Sequence, residues 1–121
     1  MSRLIDKVAI VTGAARGLGR SHALTLAEEG SHVAVTDVCQ NLSGSAYNLA
    51  VRADLDNVAT QIEAIGRESL SFTCDVRQDR QVRDLVRSVL NRWGRIDILV
   101  NNAGAISISS VVEMKEDEWD L

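Results

Sequence analysis

The feature that most constrains this chain is a glycine-rich turn, Thr12-Gly13-Ala14-Ala15-Arg16-Gly17-Leu18-Gly19. The apolar run Val8-Ala9-Ile10-Val11 precedes it, and a stretch with helical spacing follows. A short apolar run ending in such a turn reads as a buried strand. Each glycine has its own task. Gly13 lets the chain leave the strand tightly. Gly17 removes a side chain where a pyrophosphate would approach backbone, and Gly19 lets the helix lie close on the sheet. The N–H groups and dipole of the helix start, at Gly17 and Leu18, would then face an anion. The spacing is G-x-x-x-G-x-G, not G-x-G-x-x-G. A ligand-free strand-to-helix turn is the plain alternative, and the strand before and helix after favour the binding reading.

The same alternation continues along the chain. A helix is expected over 18–29, with Leu18, His22, Leu26 and Ala27 near one face and Gly30 as its stop. A second strand is expected over 32–36, and a polar irregular stretch over 37–53. Leu55, Val58, Ala59, Ile62 and Ile65 have helical spacing, with Gly66 as a C-terminal stop. A third strand is expected over 70–74. Val82, Leu85, Val86, Val89, Leu90 and Trp93 mark another amphipathic helix, closed by Gly94. A fourth strand is expected over 96–100, and a further helix starts near Lys115. This β-α-β-α-β-α-β-(α) order predicts an α/β fold, a Rossmann-type doubly wound parallel sheet of order 3-2-1-4 truncated after the fourth strand. Residues 1–121 form one domain in this reading, incomplete at its C-terminal end. An unpaired outer edge on strand four predicts marginal stability or aggregation of the isolated chain.

Ligands of such sheets sit at the carboxyl ends of the strands. Asp37 follows strand two, where a carboxylate accepts hydrogen bonds from the adenosine ribose of NAD and repels the 2′-phosphate of NADP. Arg16, a cation beside the turn, pulls the other way. Asp37 decides, because a carboxylate against a phosphate is a direct repulsion. Asp75 and Val76 close strand three. Asp75 can accept from an adenine amino group or cap the next helix, and Val76 offers backbone and an apolar contact. Asn101-Asn102-Ala103-Gly104 closes strand four. A locking turn there is expected of Asn101, and small Ala103 and Gly104 leave room for a ribose.

Together, Thr12-Gly13…Gly17-x-Gly19, Asp37, Asp75-Val76 and Asn101-Asn102-Ala103-Gly104 resemble the short-chain dehydrogenase/reductase family, in that family's order. The resemblance implies NAD(P)-dependent hydride transfer at an alcohol or carbonyl carbon. It implies cofactor contacts at the matched positions, with Asn102 rather than Asn101 at the ribose, and homo-oligomers for full-length members. A long 37–75 stretch with Asp37-Val38-Cys39, Tyr47 and Asp54-Leu55 resembles the carveol-dehydrogenase-like, mycofactocin-associated subgroup. That likeness implies a segment lying over NAD and hindering its exchange, with Tyr47 in the cover, and a hydrophobic secondary alcohol as substrate of a full-length parent.

The family's catalytic serine and its Tyr-x-x-x-Lys pair have no counterpart here. The single tyrosine is Tyr47, with Val51 where lysine would stand, and Ser107, Ser109 and Ser110 fall too early. No catalytic residue is therefore assigned, and the chain is expected to be inactive alone: the cofactor half of a longer NAD-dependent oxidoreductase. The alternatives are a non-catalytic dinucleotide-binding or interaction module, and a methyltransferase, whose fold also pairs a glycine turn with an acidic residue. Asn-Asn-Ala-Gly argues against the methyltransferase.

Net charge is −4, with no basic block, so neither nucleic acid nor an anionic membrane is an expected partner. No run approaches membrane-span length and the N-terminus lacks a signal-peptide apolar region. Cys39 and Cys74 read as reduced thiols of a cytoplasmic protein, and no metal site is expected.

Overall fold

A computed structural model describes residues 2–39, 52–104 and 110–119. Tyr47, Ser107 and Ser109 lie outside the described residues. The elements run β1 (Val8–Thr12), α1 (Gly17–Glu28), β2 (His32–Asp37), α2 (Arg52–Ala64), β3 (Ser69–Thr73), α3 (Asp79–Trp93), β4 (Ile98–Val100) and α4 (Glu116–Trp119). The sheet has the order β3-β2-β1-β4, and every pairing is parallel. The expected fold class and strand order are thus observed.

Strand alternation sorts the core into two layers. Ala9, Val11, Val33 and Val35 face α1 and α2, packing with Ala23, Ala27, Leu55, Val58 and Ile62. Val8, Ile10 and Ala34 face the other way, onto Leu85 and Val89 of α3 and onto Cys74. A strand buried on both faces must be apolar throughout, which is why β1 reads as a continuous run. No described helix is long and apolar enough to cross a membrane.

The inner face of α1 matches the expected one at Ala27, which is buried, and at Leu26, which packs half-buried against the core, but not at Leu18 and His22. Its buried residues are Gly19, Ala23 and Ala27, while Leu18 is 72% exposed and His22 is exposed. The helix lies so close to the glycine turn that a Cβ on Gly19 would sit 2.1 Å from the Gly13 carbonyl oxygen. Small residues therefore form the closest part of its contact face, and Leu24 and Leu26 pack half-buried beside them.

Strand boundaries shift modestly. β3 starts at Ser69 and leaves Cys74 just beyond its end, and β4 begins only at Ile98. Asp97 explains the second shift. Its backbone N–H donates to the Val8 carbonyl (2.9 Å), and its carboxylate accepts from the Val8 N–H (2.9 Å) and from Arg95 (2.7 Å). The side chain thus fastens the entry of β4 to the start of β1. The Arg95 guanidinium, and then the Val8 N–H, hold the Asp97 carboxyl below the usual carboxylate range. A depressed folded-state pKa contributes stability above the unfolded value of about 4, and that contribution is lost as pH falls through the folded value. In denaturant melts, the stability gap between wild type and Asp97→Asn is therefore expected to be widest above that range and to close in acid.

Candidate dinucleotide site

The carboxyl ends of the four strands gather the residues singled out in the sequence. β1 ends at Thr12, and Gly13 turns away at φ 63°. A Cβ on Gly13 would lie 2.9 Å from Ala103 Cα and 3.0 Å from Asn102 Nδ2. The glycine turn and the end of β4 are thus in contact, and Gly19 closes the same junction, 2.5 Å from Asn102 Nδ2 by the same measure. Gly17 differs. Its φ is 61° and a Cβ there would meet nothing within 4 Å, so backbone is laid open to space beside the start of α1.

That helix start is suited to an anion. Arg16 is the N-cap but makes no side-chain capping hydrogen bond, and no acidic residue lies in the first turn. The first N–H groups of a helix have no intrahelical partner, and its dipole presents positive charge there. Leu18 stands exposed beside them.

Asn102 holds the junction together. Its Nδ2 donates to the Gly13 carbonyl (3.1 Å) and its backbone N–H to Thr12 Oγ1 (3.0 Å). The Ala103 N–H donates to the same hydroxyl (2.9 Å), which in turn donates to the Val100 carbonyl (3.3 Å). The lock expected of Asn101 therefore belongs to Asn102, because Asn101 is exposed. Thr12 is a positioning residue that sequence reasoning used only as part of a motif. Its signal is a hydroxyl on the last residue of the strand, next to the turn. Ala103 and Gly104 are exposed at the mouth.

Asp37 lies against the turn from the other side. Its Oδ2 accepts from the Ala15 N–H (3.3 Å) and its Oδ1 from the Cys39 N–H (3.3 Å). Cys39 stands at φ 58°, and burial pushes its thiol up. The Cys74 thiol is raised by burial too. Both thiols are free, and they pack on opposite layers of the core, as the reduced reading expects.

Asp75 is near this group, since the Cys74 N–H donates to the Asp37 carbonyl (2.8 Å). Its carboxylate accepts from Arg77 three times: from the backbone N–H (2.9 Å), from Nε (3.0 Å) and from Nη2 (2.8 Å). Arg77 holds the carboxyl below its usual range. The capping reading is overturned: the N-cap of α3 is Gln78, without a side-chain cap, and Asp75 instead closes the turn ahead of it. Val76 is 48% exposed.

Strand ends, an open glycine, an uncapped helix start and a carboxylate on the last residue of β2 lie together at one edge. Residues 7–121 match the family model for short chain dehydrogenases. The chain belongs to the short-chain dehydrogenase family. An uncharacterized NAD-dependent oxidoreductase of Mycobacterium tuberculosis is 41% identical over 118 residues, 97% of this chain and 43% of that protein. A 3-oxoacyl-(acyl-carrier-protein) reductase of Staphylococcus epidermidis is 40% identical over 116 residues, 96% of this chain and 43% of the reductase. The crystal structure of carveol dehydrogenase from Mycobacterium avium, in complex with NAD, superposes with a TM-score of 0.94 at 33% identity. It is matched over 99% of this chain and 44% of that one. The chain therefore spans well under half the length of these short-chain dehydrogenase relatives. Among the described residues, no group of three or more His, Cys, Asp or Glu could hold a metal.

Proposed function

We propose that this chain is the NAD-binding part, a single domain over residues 1–121, of a short-chain dehydrogenase that moves hydride between NAD and an alcohol or ketone. The observation that carries the reading is the junction of Gly13, Gly19 and Asn102 beside the open backbone at Gly17. A dinucleotide fits what is present. The backbone of Gly13, Arg16, Gly17 and Leu18 at the start of α1 would take the pyrophosphate. Gly19 would keep that helix start in place. Asp37 would accept from the adenosine ribose hydroxyls. Asp75 and Val76 would border the adenine, and Asn102, Ala103 and Gly104 the second ribose. The nicotinamide supplies the hydride acceptor when bound. The residues of this chain bind and orient it, and none of the described residues is assigned an acid–base role.

The likeness to an NAD-bound carveol dehydrogenase and to an NAD-dependent oxidoreductase supports NAD over NADP. It also supports the carveol-dehydrogenase-like subgroup. Titration with NADH and, separately, with S-adenosylmethionine tests the reading. Saturable NADH binding without S-adenosylmethionine binding is expected, as is no NADH formation from NAD and a secondary alcohol. S-adenosylmethionine binding in place of NADH would overturn it.

A further inference from the structure

Among the described residues, Asp6 and Cys39 alone combine a side chain with a positive φ. Asp6 precedes β1, whereas Cys39 follows β2 at the carboxyl ends of the strands. An L-residue avoids this region because its Cβ crowds the following carbonyl. Such a backbone persists where its surroundings hold it, often beside a functional site. Cys39 is held on two sides. It packs half-buried against the core layer under α1 and α2, and its thiol is a hydrogen-bond partner of Thr73. Thr73 is itself fixed. It pairs with Asp37 in the sheet register, and its hydroxyl oxygen accepts from Arg52 Nη1 (2.9 Å), which leaves its O–H to donate to the thiol. At φ 58° the Cys39 N–H turns back onto Asp37 Oδ1 (3.3 Å). The other carboxylate oxygen, Oδ2, accepts from the Ala15 N–H in the glycine turn (3.3 Å). A carboxylate oxygen has two acceptor sites. One backbone donor on each leaves one site open on each.

Resting on the NAD reading above, we propose that Cys39 is a positioning residue for Asp37. Its left-handed backbone, pinned through the side chain, supplies the second of the two N–H groups that fix the carboxylate. The carboxylate is then held before the cofactor arrives, with one open acceptor site on each oxygen for the two hydroxyls of the adenosine ribose. Without the Cys39 N–H, Asp37 keeps its charge and its Ala15 donor but must be ordered at the expense of binding.

The test is calorimetric titration of the 121-residue chain with NADH. It compares wild type, Cys39→Ala, Cys39→Gly and Cys39→Asn, and repeats the three substitutions in an Asp37→Ala background, with a urea melt to show that each sample is folded. Cys39→Ala loses the anchor and keeps the strain. Residue 39 should then leave the left-handed region, and NADH affinity should fall about fivefold. Cys39→Gly loses the same anchor, but a φ of 58° costs glycine little, and asparagine also tolerates it. Both should bind NADH more tightly than Cys39→Ala. A mere packing role gives the opposite order for alanine and glycine, since alanine keeps more of the side chain, and that order overturns the proposal. In the Asp37→Ala background the differences among the three should vanish. Differences that persist overturn it as well, since residue 39 would then act without the carboxylate. If folded wild type binds no NADH, the NAD reading fails and this proposal with it. If wild type binds and only the order is reversed, this proposal fails alone.

Discussion

Gly19→Ala is expected to destabilise the chain by about 3 kcal/mol, the upper end of what overpacking costs. The added Cβ would lie 2.1 Å from the Gly13 carbonyl oxygen and 2.5 Å from Asn102 Nδ2. The first is backbone, fixed by the exit from β1. The second already bonds that same carbonyl. Neither can yield without separating α1 from the sheet or β4 from the turn, so urea denaturation should register a lower midpoint and dinucleotide binding should be lost with it. Gly17→Ala provides the contrast. A Cβ there meets nothing within 4 Å, and φ is 61°, so the cost to stability is only the backbone strain of about 1 kcal/mol. Loss of binding should exceed loss of stability at Gly17, whereas at Gly19 the two fall together.

Asp37→Ala is the second large effect. A hydrogen bond to a charged group contributes about 1.5–3 kcal/mol, so NAD affinity should fall about 10- to 100-fold. Removal of the carboxylate also lifts its repulsion of a 2′-phosphate, so the preference for NAD over NADP should shrink. The variant gives up acceptors for the Ala15 and Cys39 N–H groups as well. For that reason the ratio of the two affinities, not either one alone, reads the selectivity. An unchanged preference in a folded Asp37→Ala sample would remove Asp37 from the assignment.

Much of the fold was legible because its signals are local. A strand buried on both sides reads as a continuous apolar run, as β1 does from Val8 to Val11 before it ends at Thr12. Helix stops at Gly66 and Gly94 coincide with positive φ of 97° and 73°, where glycine is the least strained residue. What could not be read depends on partners far away in sequence. The inner face of α1 is set by the clearance to Gly13, so Leu18 stays outside although it is large and apolar. Asn101 and Asn102 are adjacent and chemically identical, and only the approach of the turn decides that Asn102 takes the Gly13 carbonyl. The register of β4 follows from an aspartate that reaches across to Val8. Arg16 and Asp54 meet only because α1 and α2 pack on the same face of the sheet. Asp75 looked equally suited to a base or a helix cap, and only the structure shows that the cap position falls to Gln78 while Arg77 engages both Asp75 oxygens.

The central claim is that these 121 residues already carry an NAD cradle. Calorimetry of the folded chain with NADH, set against NADPH, tests it most directly. The account predicts saturable one-to-one binding that favours NADH. Absence of binding, or a preference for NADPH, in a sample shown to be folded would contradict it.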